Sequence, residues 1–197
     1  GERVEAGDRT NRKKTVRRGK GGAASLMGTG GLYDYVDNNP AVAMYPVQDV
    51  NDPYVIAQND NLVSINSGVQ IDIMGQVVST SAGLRQISGV GGQIDFMYGA
   101  SRSEGGKAIL AMPSVTNKGI SKIAPELTLG AGVVTTRSHV HWFVTEYGAV
   151  NLYGKSLQER ARLIISVAHP DHREALDRAA FDRYGAHHHY IKATTKI

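Results

Sequence analysis

The chain has 197 residues, 41% apolar and 20% charged, which suits one domain with a single substantial core. It holds no cysteine, excluding disulfides, thiolate metal sites and a cysteine nucleophile, and no apolar run near the roughly 20 residues of a membrane span. The net charge of +4 is uneven: residues 1–20 hold eight basic and three acidic side chains, so the remainder carries −1.

That basic N-terminal segment (1–20) contains no aromatic residue on which a base could stack. A solvated edge, or a contact to a cofactor phosphate, therefore ranks above nucleic-acid binding. Gly1 in place of an initiator methionine points to a partial chain. Ala23–Met27, short and apolar before Gly28, reads as a buried strand. Leu32, Tyr35 and Val36 take helical spacing, ended by Asn38-Asn39-Pro40, and Val42–Tyr45 reads as a second strand. Asp52-Pro53 opens a brief helical turn through Ile56 and Ala57.

Leu62–Val78 is the longest strand-like stretch, read as two antiparallel strands or one strand bulged at Gly68. The alternation in Val69-Gln70-Ile71-Asp72-Ile73 predicts a half-buried sheet with Gln70 and Asp72 facing out. Ser88-Gly89-Val90-Gly91-Gly92 then demands either a tight turn or the close approach of another molecule. It feeds a helix from about Gly92 to Ser101, whose free N–H groups can face a polarised oxygen. Asp95 in its first turn is expected to favour the helix N-terminus by about 0.3–1 kcal/mol.

Lys107–Met112, Gly132–Thr135 and Val140–Val144 read as further strands, with Thr145-Glu146-Tyr147-Gly148 where the last of them leaves the sheet. Ser156 and Glu159 form a capping box for a helix with the apolar stripe Leu157, Ala161, Ile164, Ile165 and Ala168. A charged helix follows from Asp171 to Tyr184, and residues 186–197 read as a tail, leaving 21–185 as the domain. His139 and His141 alternate on one strand without a third ligand nearby, so they read as strand-face residues and no metal is expected. His169 is assigned a structural turn.

Three stretches, Asn51-Asp52-Pro53-Tyr54-Val55-Ile56-Ala57-Gln58-Asn59, Ser64-Ile65-Asn66-Ser67 and Gly89-Val90-Gly91-Gly92-Gln93-Ile94-Asp95-Phe96, carry a resemblance. Val144-Thr145-Glu146-Tyr147-Gly148, Gly154-Lys155-Ser156-Leu157-Gln158-Glu159-Arg160-Ala161 and Ala168-His169-Pro170-Asp171 continue it in order. From about Val4 to Tyr184 the chain resembles the C-terminal domain of the acetyl-CoA hydrolase/transferase family, within which 4-hydroxybutyrate CoA-transferases are the nearest subgroup. The resemblance implies an α/β fold, with a central mixed sheet flanked by helices on both faces.

It also implies exchange of CoA between an acyl-CoA and a small carboxylic acid through a glutamyl-CoA thioester, in a homodimer; the lack of cysteine fits a reducing, cytoplasmic compartment, and neither nucleic acid nor membrane is an expected partner. A backbone amide of Gly91 or Gly92 then serves the oxyanion, Asn66 lines the catalytic pocket, and Glu146 lies against CoA. Lys118 and Lys122 stand in the CoA-binding segment, which is one residue shorter than the family pattern and leaves both lysines open for one place. The nucleophilic glutamate is expected a few residues before Gly1, in the missing N-terminal half; Glu2 and Glu5 read as helix-surface acids. Acyl-CoA hydrolysis and a non-catalytic CoA-binding or interaction domain are the alternatives.

Overall fold

The computed structural model describes residues 16–185. Most of the basic N-terminal segment and the tail from 186 lie outside them. Arg17 reaches Asp49 and stacks 3.8 Å from the centre of the Tyr45 ring, so this basic group is tied into the domain.

The first elements are β1 (Gly21–Ala23), α1 (Gly30–Val36), β2 (Val42–Met44), α2 (Val47–Val50) and α3 (Pro53–Ala57). β1 and β2 form a parallel ribbon. The strand expected over Ala23–Met27 ends at Ala23, and Met27 is 93% exposed. A short apolar run does not by itself say whether it pairs. α3 starts as its residues dictate: Asp52 accepts from the Tyr54 amide at 2.8 Å, and Pro53 occupies the first turn.

Next come β3 (Val63–Asn66), β4 (Gln70–Asp72), β5 (Val77–Val78), β6 (Ser81–Ala82), β7 (Arg85–Gln86) and α4 (Gln93–Arg102). The remainder is β8 (Lys107–Ala111), β9 (Ile123–Ala124), β10 (Trp142–Thr145), β11 (Gly148–Asn151), α5 (Leu157–Ser166) and α6 (Pro170–Tyr184). The main sheet runs β11-β10-β8-β3, with β3, β8 and β10 parallel and β11 antiparallel. It is mixed, and the architecture is α/β.

Leu62–Val78 does hold an antiparallel pair, but it joins β4 to β5 and not the two segments on either side of Gly68. β3 joins β8 in the main sheet, whereas β4 lies in a second sheet ordered β5-β4-β9. Gly68 lies in the crossing between the two sheets and is no bulge within one strand, and a Cβ there would sit 2.8 Å from Val77 Cγ1. Nor is β4 half-buried: Asp72 is 2% exposed, its carboxylate taking the amides of Met74 and Gln76 at 2.9 Å and the Gln76 side chain at 2.7 Å. Gly132–Thr135 forms no strand, only an isolated bridge from Thr135 to Val77.

One core gathers Ile71, Ile73, Met97, Leu110, Phe143, Leu152 and Ile164. α4 packs on β3 and β8, and α5 packs on α6 and β11. The capping box at Ser156 forms in both directions. Ala161, Ile164, Ile165 and Ala168 are buried as their spacing predicts, while Leu157 sits at the rim. Among the described residues no helix is long and apolar enough to cross a membrane.

Candidate active site

Three parallel strands end side by side. β3 stops at Asn66, β8 leads through Pro113 to Ser114, and β10 leads into Glu146. Open α/β sheets bind ligands beyond the carboxyl ends of their strands, because loops and helix N-termini with free polar groups collect there. Asn66, Ser114 and Glu146 come from distant parts of the sequence and share that edge.

At the β3 end, the half-buried Asn66 donates from Nδ2 to Ser64 Oγ at 2.8 Å, leaving its carbonyl and a second N–H for other partners. The next residue, Ser67, offers its carbonyl to Gln93 Nε2 at 2.6 Å, while Gln93 Oε1 accepts from Ser79 Oγ at 2.6 Å. Gln93 is the first residue of α4, so these bonds tie the glycine turn to the end of β3. Gln93 was not singled out from the sequence; its position one residue past the paired glycines was the available signal.

The glycine turn differs from the tight turn its composition suggests. Gly92 has φ −82°, and neither Gly89 nor Gly91 adopts the left-handed region. Close approach is the remaining reason for glycine, and the two positions differ. A Cβ on Gly92 would lie 2.4 Å from Asn51 Nδ2, whereas one on Gly91 would meet nothing within 4 Å among the described residues. Gly91 therefore faces open space. Among the described residues no bond is made by the Gly91 or Gly92 amide, and Gly92 caps α4, where N–H groups lack intrahelical acceptors.

At the other end of the edge, Ser114 donates to both oxygens of Glu146, from its amide at 2.9 Å and from its hydroxyl at 2.6 Å. The little burial Glu146 has works to raise its pKa. The Ser114 bonds, its own amide and the nearby His169 outweigh that and hold it below the usual carboxylate value. Lys122 is half-buried, and burial lowers its pKa while Glu146 opposes the shift. Lys122 thus stands in the field of Glu146. Lys118 stands exposed on a loop whose Thr116 hydroxyl accepts its amide at 3.3 Å.

Thr145–Gly148 is the turn of a β10–β11 hairpin, not the end of the sheet. His169 caps α6, its Nδ1 accepting from the Asp171 amide at 3.3 Å, which is the expected turn role. Its ring also stands edge-on to Tyr147 at 5.5 Å. His139 and His141 lie in the approach to β10, His139 beside Tyr98 and His141 beside Tyr153. No group of three potential ligands forms around them among the described residues. The hollows between α5 and α6 (around Ala161, Ile165 and Phe181) and beside Pro125 and Arg183 lie away from this edge.

Asp95 stands in the first turn of α4, as expected. Burial, and secondarily the Asp52 carboxylate, push its pKa up. Folding therefore disfavours the ionised form: the group's contribution is fully present below the ordinary carboxylate range and is lost as pH rises through the raised value. Asp95→Asn is expected to melt above the parent chain at neutral pH, the gap closing as the solution is acidified through that window. Thermal unfolding across pH checks this, and a gap that ignores pH contradicts it.

With that geometry in view, the relatives are informative. A sequence model described as the acetyl-CoA hydrolase/transferase C-terminal domain matches residues 28–180. The chain is 57% identical over 176 residues to the 4-hydroxybutyrate coenzyme A transferase of Clostridium kluyveri, covering 89% of this chain and 41% of that protein. It is 54% identical over 182 residues to a succinyl-CoA:acetate/propanoyl-CoA:succinate CoA transferase of Fasciola hepatica, covering 91% of this chain and 38% of that protein. The crystal structure of RipA from Yersinia pestis superposes with a TM-score of 0.83 at 46% identity, covering 89% of this chain and 40% of that one. The chain thus spans about two fifths of the length of the relatives it matches. The matched residues take in every strand end and loop that forms the carboxyl edge, and the chain belongs to the acetyl-CoA hydrolase/transferase C-terminal domain family.

Proposed function

We propose that this chain supplies the oxyanion-binding and CoA-binding half of an acyl-CoA:carboxylate CoA-transferase. The observation that carries the reading is the convergence of Asn66, the open Gly91 and the clamped Glu146 on one strand edge, in a chain so similar to CoA-transferases. The Gly91 and Gly92 amides are assigned to the oxyanion, Asn66 to the acyl or carboxylate oxygen, and Glu146 with Lys122 to CoA. Lys118 is the second candidate for the lysine contact. The domain is assigned to 21–185, flanked by the basic segment and the tail, and the working enzyme to a cytoplasmic homodimer. These last assignments rest on the family likeness and, for the compartment, on the absence of cysteine.

The attacking glutamate is assigned to a segment outside these 197 residues. Its carboxylate adds to the thioester carbonyl, the C–S bond breaks, and CoA leaves as thiolate from an acyl-glutamyl anhydride. The thiolate then attacks the glutamyl carbonyl, releasing the first acid and leaving glutamyl-CoA. The second acid reverses both steps and departs as the new acyl-CoA. Each addition places negative charge on a former carbonyl oxygen, which amides at Gly91 and Gly92 would stabilise without reorganisation.

The test is isotope exchange by the complete protein that carries this chain, given acetyl-CoA and radiolabelled acetate. Label entering the thioester, with a glutamyl thioester trapped by borohydride, is expected. CoA release into water without labelled thioester would instead assign a hydrolase, and neither reaction a non-catalytic binding domain. The chain by itself is expected to exchange nothing.

A further inference from the structure

We propose that Ser114 is the positioning residue for Glu146, holding its carboxylate between the end of β8 and the β10–β11 turn so that it meets CoA in a set orientation. The proposal rests on the reading of Glu146 as a CoA contact.

Glu146 sits in the two-residue turn between β10 and β11, since Thr145 pairs with Gly148. A glutamate there has three side-chain torsions, and ordering it during binding costs free energy. The turn's backbone is already anchored: the Tyr147 amide donates to Thr145 Oγ1 at 3.0 Å, and that hydroxyl donates to the Val167 carbonyl at 2.6 Å. The Ser114 amide and hydroxyl then take one carboxylate oxygen each. A carboxylate has about four acceptor positions, so this grip leaves the others for a ligand.

Ser114 can orient Glu146 because it is itself buried and bonded into a hairpin. It is 0% exposed, so water does not compete for its hydroxyl. It also forms the base of a hairpin: its carbonyl accepts from the Lys122 amide at 2.8 Å, and Val115 bridges Ser121. The Thr116 amide donates to the Ile120 carbonyl at 2.8 Å, and Gly119 turns the tip with φ +77°. The tip is held too. The Gly119 carbonyl can only accept, so the His172 ring carries its proton on Nε2 and donates across 2.9 Å. A hairpin fixed at both ends thus sets Lys122 and Glu146 together, with the His169 ring as another neighbour of the carboxylate.

The experiment compares Ser114→Ala, Ser114→Thr, Glu146→Gln and the Ser114→Ala/Glu146→Gln pair in the complete protein. Ser114→Ala is expected to raise KM for acetyl-CoA about tenfold, the size of a lost charge-assisted hydrogen bond, with KM for acetate unchanged. Ser114→Thr keeps the hydroxyl and is expected to restore most of the loss. The double variant is expected to match Glu146→Gln alone, since a positioning residue has nothing left to position. Additive losses, or an unchanged acetyl-CoA KM in Ser114→Ala, overturn the proposal.

A second readout separates this proposal from the functional one. Carbon-13 titration of the Glu146 carboxyl should move upward in Ser114→Ala and return in Ser114→Thr. If that occurs in a protein that exchanges no label, the transferase reading fails and the grip on Glu146 stands. If label exchanges but neither the titration nor KM responds, the positioning role fails.

Discussion

Gly91→Ala is expected to leave the fold intact and to slow CoA transfer by about 10²–10³-fold, the loss typical of one displaced oxyanion donor. Among the described residues the added methyl meets no atom beyond its chain neighbours within 4 Å, and the backbone there is outside the left-handed region. Removing a glycine from such a position stabilises by about 0.4–1 kcal/mol through the unfolded state, so the melting temperature should hold or rise slightly. A ligand approaching the backbone would meet the methyl group. Gly92→Ala is the contrast, because its Cβ falls 2.4 Å from Asn51 Nδ2 and 2.9 Å from Asn51 Cγ. That variant should lose activity and stability together, by about 1–3 kcal/mol for a forced shift in a packed site. Steady-state exchange rates and thermal melting decide the matter. Full activity in Gly91→Ala would remove the turn from the catalytic machinery.

The second large effect concerns stability. Arg160→Ala is expected to cost about 3–5 kcal/mol, with a fall in melting temperature on the order of 10 °C. Arg160 is 6% exposed, and its side chain bonds to backbone carbonyls. Its Nε, Nη1 and Nη2 donate to the carbonyls of Met74, Leu152 and Arg137, each at 2.8 Å. Burial first, and the neighbouring Arg137 second, lower its pKa, but a guanidinium remains protonated inside a protein. The planar fork therefore pins three loops from separate parts of the chain onto α5. Gly75, with φ +91°, leaves the guanidinium room, since a Cβ there would lie 2.4 Å from Nη2. Truncation strands the buried Leu152 carbonyl and the part-buried carbonyls of Met74 and Arg137, and Arg160→Lys restores too few donors to recover most of the loss. Urea unfolding measures both, and a cost under about 1 kcal/mol would contradict this account.

Arg160 also shows what residue patterns conceal. It lies one turn before Ile164, on the apolar stripe of α5, so periodicity carried a signal that this position is buried. Its chemistry was legible only in space, because its three acceptors lie 86, 8 and 23 residues away. Ser114 is similar. Nothing near it in sequence marks it out, and its partner Glu146 is 32 residues on.

What the sequence determined by itself was short-range. The Ser156–Glu159 box, the Asp52-Pro53 start of α3 and the buried stripe of α5 follow from bonds and contacts within a turn or two of helix, so the residues suffice. The ordered motifs likewise identified the family and placed Asn66, Gly91 and Glu146 as candidates. Strand partnership was decided only by the tertiary structure. Leu62–Val78 carries a clear strand pattern, yet β3 and β4 enter different sheets, because backbone N–H and C=O groups are the same in every strand and do not name their partner. The same non-local pairing aligns the ends of β3, β8 and β10 and so assembles the candidate site. It also decided that Gly92 is packed against Asn51 while Gly91 is open, a difference that two identical residues side by side cannot express.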